Sequence, residues 1–430
     1  MMNEVMEKDV VISVVLPVFN EEKRLNIVLT SLFNQYDESG ELNKDTYEVV
    51  IVDNNSTDNS LNVIKEFREA NPLLNLYVIE EKEQGVSSAR KCGMDFASQR
   101  SKERDNKYQL EQRFYILSAD ADCTVDNQWI YQLIKKMTMD KADLGTCNYF
   151  YDPEKFLHRP VLYEQIRKTL LCREFSFSLF GGFPDGKGFA VERDLYDKVG
   201  GIEIFYQLHG GAFVQHLSDD WDFGIKVIAY GGKPTYAHYS RVEINSRRVD
   251  NLLGEVIIGK AYGADGIITM KDIRPPDENI PYGDLTPEEG KMAWDYSIKD
   301  YVPKNIILPL LLNPDLLQKD AIIDFFTAPV AQKLYERIHE IKSAACIIDF
   351  KPIHAYKTPS YRLYFEFRQQ IFASLRKHVD QSIGYPPELP PCLDAILKQQ
   401  PDKFINYVYY FCEDRESGTA HNYFANGGVF

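Results

Sequence analysis

The sequence predicts an α/β protein, with a mostly parallel central sheet covered by helices on both faces and a mostly helical carboxyl-terminal region. Three observations lead there. Between residues 11 and 137, short apolar runs rich in β-branched residues alternate with stretches whose apolar positions recur at helical spacing. Polar residues interrupt each run at the same end. Beyond residue 305 only the helical period persists.

Val11 to Leu16 reads as a strand buried on both faces, with Pro17 as its stop. Asn20 is a candidate cap for a helix carrying Leu25, Val28, Leu29, Leu32 and Phe33. Val49 to Val52 forms the second strand, followed by a polar turn, Asp53 to Asp58, and a helix marked by Leu61, Ile64 and Phe67. Leu76 to Ile79 is the third strand; Gly85 then precedes a helix through Ala89 and Phe96. The charged segment at 98–113 reads as an extension of that helix into a solvated loop. Phe114 to Leu117 is the fourth strand, and Asp126 or Asn127 is expected to cap a helix carrying Ile130, Leu133, Ile134 and Met137. Strand, helix, strand in series implies a parallel sheet whose ligands bind at the carboxyl ends of the strands. Asn20 with Glu21, Asp53, Glu80 with Glu81, and Asp120 with Asp122 all fall at that edge.

Bulk composition excludes several classes. A net charge of −15 argues against nonspecific binding to nucleic acid. The apolar runs Val10 to Phe19 and Ile306 to Leu312 are too short to span a bilayer, and no signal sequence is read at the start. The seven cysteines are scattered without C-x-x-C spacing, as expected of reduced thiols in a cytoplasmic protein.

The chemistry concentrates at Leu117-Ser118-Ala119-Asp120-Ala121-Asp122. Alternation along a strand lets Asp120 and Asp122 point the same way, where two like charges call for a cation. Paired carboxylates suit a hard divalent ion such as Mg²⁺ or Mn²⁺, which usually brings substrate phosphates with it.

With Pro17-Val-Phe-Asn-Glu-Glu22, Val52-Asp-Asn-Asn-Ser-Thr-Asp58, Gly85-Val-Ser-Ser-Ala-Arg90 and Asp120-Ala-Asp122 in this order, the chain resembles the family 2 glycosyltransferases. These are nucleotide-sugar-dependent enzymes with the Rossmann-like GT-A fold. The resemblance continues through Gly186-Lys-Gly-Phe-Ala-Val-Glu-Arg193, Val199-Gly-Gly201 and Asp219-Asp-Trp-Asp-Phe223. It implies that Pro17, Phe19, Asn20 and Glu21 border the nucleotide, and that Asp53, with Asn55 in the same turn, receives the base. Asn54 stands where the family often has a second Asp. Arg90 would face the pyrophosphate or support the D-x-D loop. Asp122 would ligate the metal, while Asp120, beside Ala121, would contact ribose and the metal shell. The loop through Gly188 resembles the one that closes over the donor sugar, although the family often has Asn at that position.

Glycosyl transfer requires a stabilised leaving diphosphate and a base for the acceptor hydroxyl. By the resemblance, Asp220 is that base, which implies inversion at the anomeric carbon. Asp219 or Asp220 would equally serve as a helix cap. Several GT-A enzymes bring a late His to the metal, and His238 is the candidate here; a lone His is otherwise structural. Arg247, in Ser246-Arg-Arg248, resembles a segment near the donor phosphates. The resemblance thus implies an inverting, metal-assisted transferase using a nucleotide-diphosphate sugar, UDP being the commonest choice in the family. The acceptor hydroxyl, on a saccharide, a lipid-linked sugar or a small molecule, stays open. The alternatives are a retaining GT-A transferase or nucleotidyltransferase of similar topology, or a non-catalytic nucleotide-sugar-binding module.

The expected organisation is a GT-A domain at 1–270, with nucleotide-sugar binding at about 10–125 and the acceptor part at about 126–270. A Pro-rich linker follows at 271–304, and a helical region at 305–430. Helical spacing marks Ile322, Ile323 and Phe326, then Val330 to Ile341, Leu363 to Leu375, and Ile405 to Phe411. The abundant Tyr and Phe of this region are core, or else shape an acceptor cleft or the interface of a homo-oligomer.

Overall fold

The computed structural model describes residues 6–209, 212–215, 219–246, 249, 283–345, 353–389, 391–400 and 403. By packing, the chain divides into two units: Met1–Phe150 with Gly181–Ile244, and Tyr151–Phe180 with Asn245–Phe430. Among the described residues no helix is long and apolar enough to cross a membrane.

The first unit is built on a mixed eight-stranded sheet. In chain order its strands are β1 (Ile12–Val18), β2 (Tyr47–Asp53), β3 (Leu76–Glu80), β4 (Tyr115–Ser118), β5 (Thr124–Val125), β6 (Leu144–Phe150) and β7 (Phe189–Glu192), with β10 (Pro234–Glu243) after the separate hairpin β8 (Tyr206–His209) and β9 (Ala212–Gln215). The spatial order is β3-β2-β1-β4-β7-β6-β10-β5. β1 pairs in parallel with both β2 and β4, and β2 with β3, as the alternation of strand and helix demands. β7 runs antiparallel between β4 and β6. That reversal and the strands β6, β7 and β10 were not anticipated, because their mixed sequences lack a long continuous apolar run.

The helices are α1 (Leu25–Phe33), α2 (Ser60–Ala70), α3 (Val86–Tyr108), α4 (Trp129–Asp140), α6 (Arg193–Lys198) and α7 (Asp219–Ala229), with α5 (Pro160–Phe180) in the second unit. Val15, Val50, Val52 and Ile116 share a core with Ala89, Met94 and Ala97 of α3 and with Phe223 and Val227 of α7. The alternate residues Val14, Leu16, Val49 and Ile51 are also fully buried, so both sheet faces are covered.

Three local expectations need correction. β1 runs through Pro17 to Val18. Val15 O accepts from Ala119 on the β4 side, yet pairing with β4 ends at Val15, so the missing N–H of Pro17 costs no ladder bond. Asn20 does not cap α1, which begins at Leu25. The segment after residue 98 is not merely solvated: α3 continues to Tyr108, with Arg100 and Arg104 buried. Arg100 pairs with buried Glu48 at 3.1 Å, and Ser13 donates to the same carboxylate at 2.7 Å. Charge count alone does not reveal a buried ion pair.

In the second unit, Asp284 accepts from the backbone N–H groups of Val161 and Leu162 at the start of α5 (2.8 and 3.0 Å). α8 (Pro287–Val302) opens with a capping box between Thr286 and Glu289, so the Pro-rich stretch expected as a linker is helical from Pro287. α9 (Leu308–Leu312), α10 (Asp320–Phe326), α11 (Ala328–Ala345), α12 (Ile353–His378) and α13 (Pro391–Gln399) complete it. Arg337 of α11 forks onto Glu366 of α12 at 2.8 and 3.0 Å. The helix expected over 405–411 lies outside the described residues.

Candidate active site

The loops after β1 and β2 interlock at the carboxyl edge of the sheet. Asn20 adopts the left-handed region (φ 54°). Its Oδ1 accepts from Thr57 N (2.8 Å) and Asp58 N (3.3 Å), and its own N–H donates to Ser56 Oγ (3.1 Å). Glu21 N donates to Ser60 Oγ (2.9 Å). Phe19 stays 48% exposed beside this knot, an uncovered aromatic face, and Pro17 is its buried base. Asp53, 4% exposed, accepts at Oδ2 from Ser56 N (3.4 Å). Its Oδ1 is buried and has no partner among the described residues. A buried carboxylate oxygen without a donor is costly and is able to accept a hydrogen bond from a ligand N–H.

Asn54 explains its own departure from the family pattern. Its buried amide donates to the carbonyls of Glu81 (2.8 Å) and Glu83 (2.7 Å), while Oδ1 accepts from Gly85 N (2.7 Å) and Gln84 (3.2 Å). A carboxylate could not donate to those two carbonyls. Asn55, also left-handed (φ 62°), donates to Lys82 O at 3.0 Å. Together they pin the turn that ends at Gly85, whose φ of 147° requires glycine and which opens α3. Gln215 of β9 reaches the same turn, donating to Glu83 (2.9 Å) and Ser88 (2.6 Å), and Tyr206 of β8 also bonds Glu83. Only the Asn in place of Asp hinted at any of this in the sequence.

One turn into α3, Arg90 is buried and fully engaged. It donates to Ser118 Oγ (3.1 Å), to Asp120 Oδ1 (2.9 Å) and to Asp219 Oδ2. Burial alone would lower its pKa, but the charges of Asp219, Asp120 and Asp220 outweigh that and raise it. Gly186 lies against this cluster. A Cβ there would sit 2.6 Å from Arg90 Nη2 and 2.9 Å from Asp120 Oδ1. Arg90 thus touches the D-x-D lip on one side and the acidic pair at the start of α7 on the other.

Asp220 accepts from Gly186 N (2.7 Å) and from Trp221 N (2.8 Å). Burial and then the charge of Asp219 hold its carboxyl well above the usual carboxylate range, with Asp185 adding to the effect. Arg90 and the Gly186 N–H pull the other way. A carboxylate whose basicity is raised in this manner is suited to take a proton from a hydroxyl. Phe183 stacks on Trp221 with ring centroids 4.6 Å apart, anchoring the loop to α7. Gly188 serves packing: a Cβ would lie 2.5 Å from Cys147 Sγ and 3.1 Å from Trp129 Nε1, both in the core.

Among the described residues, one group of side chains could hold a metal ion: Asp120, Asp122 and Cys123, whose ligand atoms lie within 4.8 Å of one another. Asp122 and Cys123 are buried, as is Ala121 between the two acids. Cys123 was not singled out in the sequence, since the D-x-D pattern stops one residue short of it. His238 is not in this group; it occupies an irregularity in β10 between Ala237 and Arg241 and meets the Tyr239 ring edge-on at 4.8 Å. Arg247 lies outside the described residues.

Residues 13–200 match the family model described as glycosyl transferase family 2. Curated relatives include the glycosyltransferase GlyA of Streptococcus pneumoniae, 30% identical over 142 residues, which are 32% of this chain and 17% of that protein. The glycosyltransferase AglE of Haloferax volcanii is 26% identical over 142 residues, 33% of this chain and 40% of that one. The chain therefore spans less than half the length of either. Among solved structures, the mannosyltransferase PcManGT from Pyrobaculum calidifontis, in complex with GDP-Man and Mn²⁺, aligns at 15% identity and TM-score 0.40, covering 85% of this chain and 86% of that one.

Proposed function

We propose, from the match of residues 13–200 to glycosyl transferase family 2, that the chain is an inverting glycosyltransferase. It moves a sugar from a nucleotide-diphosphate donor, with UDP as the expected nucleotide, to an acceptor hydroxyl. The observation that carries this reading is Arg90, which bonds the D-x-D carboxylate Asp120 and the acidic pair beginning at Asp219 with one guanidinium. Donor chemistry and acceptor chemistry are thereby held one side chain apart.

In this reading the open oxygen of Asp53 accepts an N–H of the base, beside the exposed ring of Phe19. Asn20 and Glu21 shape the floor of that pocket, and Asn54 and Asn55 fix its wall. Asp122 and Asp120 would hold a divalent ion; two carboxylates at the end of a strand fit one, and Gly186 leaves Asp120 Oδ1 room on its flank. Such an ion, when bound, neutralises charge on a departing diphosphate. Asp220 takes the acceptor proton at one of its carboxylate oxygens, and the N–H groups of Gly186 and Trp221 keep that carboxylate oriented. A single base acting opposite the leaving group gives inversion.

A thermal-shift screen of the full chain against UDP, GDP, CDP and ADP, each with and without Mn²⁺, tests the reading. A ligand at one hundred times its Kd adds about 2.7 kcal/mol to stability. One nucleotide should raise the melting temperature, and only with metal present. If none does, the donor site is misassigned.

A further inference from the structure

We infer that Cys123 supplies a sulfur ligand to the same ion as Asp120 and Asp122, so that this centre prefers cobalt or zinc to magnesium. The inference rests on the metal reading of the D-x-D lip and adds a donor that the motif does not contain. Cys123 Sγ lies 3.2 Å from Asp122 Oδ1, to which it donates its hydrogen. Its backbone N–H donates to Asp120 O (3.2 Å), closing the turn that turns the thiol back toward both acids. Ligand atoms from all three residues fall within 4.8 Å of one another.

A first-row ion with metal–oxygen bonds of about 2.1 Å and a metal–sulfur bond of about 2.3 Å keeps its ligand atoms roughly 3 to 4.4 Å apart. The three ligand atoms, all within 4.8 Å of one another, lie close to that spacing. Gly186 keeps one flank of Asp120 open, because a Cβ there would lie 2.9 Å from its Oδ1. Two oxygens and one sulfur form a borderline donor set. Magnesium disfavours thiolate, whereas cobalt and zinc accept it. As the metal–sulfur bond forms, the S–H bond breaks and its proton passes to water; nothing is oxidised or reduced.

The test loads the full chain with Co²⁺ or Zn²⁺ in the presence of UDP. Metal stoichiometry is measured by equilibrium dialysis, and the metal's neighbours by absorption spectroscopy. The wild-type chain should show a sulfur-to-cobalt charge-transfer band in the near ultraviolet. X-ray absorption of the zinc form should show one sulfur at about 2.3 Å. Loss of an outer partner alone costs about 10–100-fold in metal affinity, so Cys123→Ser should weaken Co²⁺ binding by at least about tenfold and abolish the band, leaving Mg²⁺ binding nearly unchanged. Cys123→Ala is the second variant, and the zinc spectrum of the wild-type chain needs no variant at all. A stoichiometric metal with a shell of oxygen and nitrogen only overturns the role of Cys123 while leaving the family reading intact. No metal bound under any of these conditions removes the metal reading itself.

Discussion

Asn54 carries more of the site than its motif position suggests. Its amide holds the two carbonyls and the Gly85 N–H that define the turn before Arg90. Asn54→Asp, which restores the common family residue, should remove both of these part-buried hydrogen bonds, at about 0.5–1.5 kcal/mol each. The expected result is a clear drop in melting temperature at neutral pH; an unchanged or higher value would show the amide to be dispensable. Asp220 makes a prediction of opposite sign. Its folded-state pKa is raised, chiefly by burial, so its charge opposes folding once pH climbs above the ordinary carboxylate value. Asp220→Asn should therefore stabilise the chain at neutral pH, and the gain should fade as pH falls through the raised value toward that of a free carboxylate. Melting curves across that range check it, and a loss of stability at neutral pH would contradict it. The places of Asp120 and Asp122 just past a strand, and of Asp219 and Asp220 at the start of a helix, were legible from the motifs. The contacts of Asp219 and Gly186 with Arg90 were not, since no linear spacing encodes them.

At the scale of elements, β1, β2, β3 and β4 were readable because parallel strands buried on both faces must be continuous apolar runs. β7 escaped because its apolar run is only three residues, Phe189 to Val191, and β10 because histidine, serine and arginine interrupt it; tertiary pairing decided their conformation. α3 shows the same limit. Its buried face includes Arg90, Arg100 and Arg104, so apolar periodicity ends before the helix does. The loop between β4's partner β7 and the second unit separates two roles that the sequence placed together. Gly188→Ala would drive a Cβ to 2.5 Å from Cys147 Sγ in the core. It should cost about 1–3 kcal/mol of stability with metal-dependent nucleotide affinity retained in the folded fraction. Gly186→Ala should also lower stability, because the atoms it meets, Arg90 Nη2 and Asp120 Oδ1, are locked in an ion pair. Unlike Gly188→Ala, it should also lose metal-dependent nucleotide affinity and turnover in the folded fraction. Equal behaviour of the two variants would mean that Gly186 is only a packing residue.

For the whole molecule, the sequence conveyed an α/β half followed by helices, since the change of period near residue 305 is plain. It did not convey that α5, residues 160–180, packs with the carboxyl-terminal helices, because a helix signals its own period and not its partner. In the first unit Arg90 joins Asp120 of the D-x-D pair to Asp219, the neighbour of the raised-pKa carboxylate Asp220. The claim that these act together as one transferase centre is tested most directly by Asp220→Asn. UDP–Mn²⁺ affinity should be measured by calorimetry on the wild-type and variant chains, alongside donor turnover with product configuration read by NMR. The account predicts matching affinities, turnover lower by about 10²–10⁴-fold, and an inverted anomeric centre in the wild-type product. Near wild-type turnover by the variant, or retention at that carbon, would contradict it.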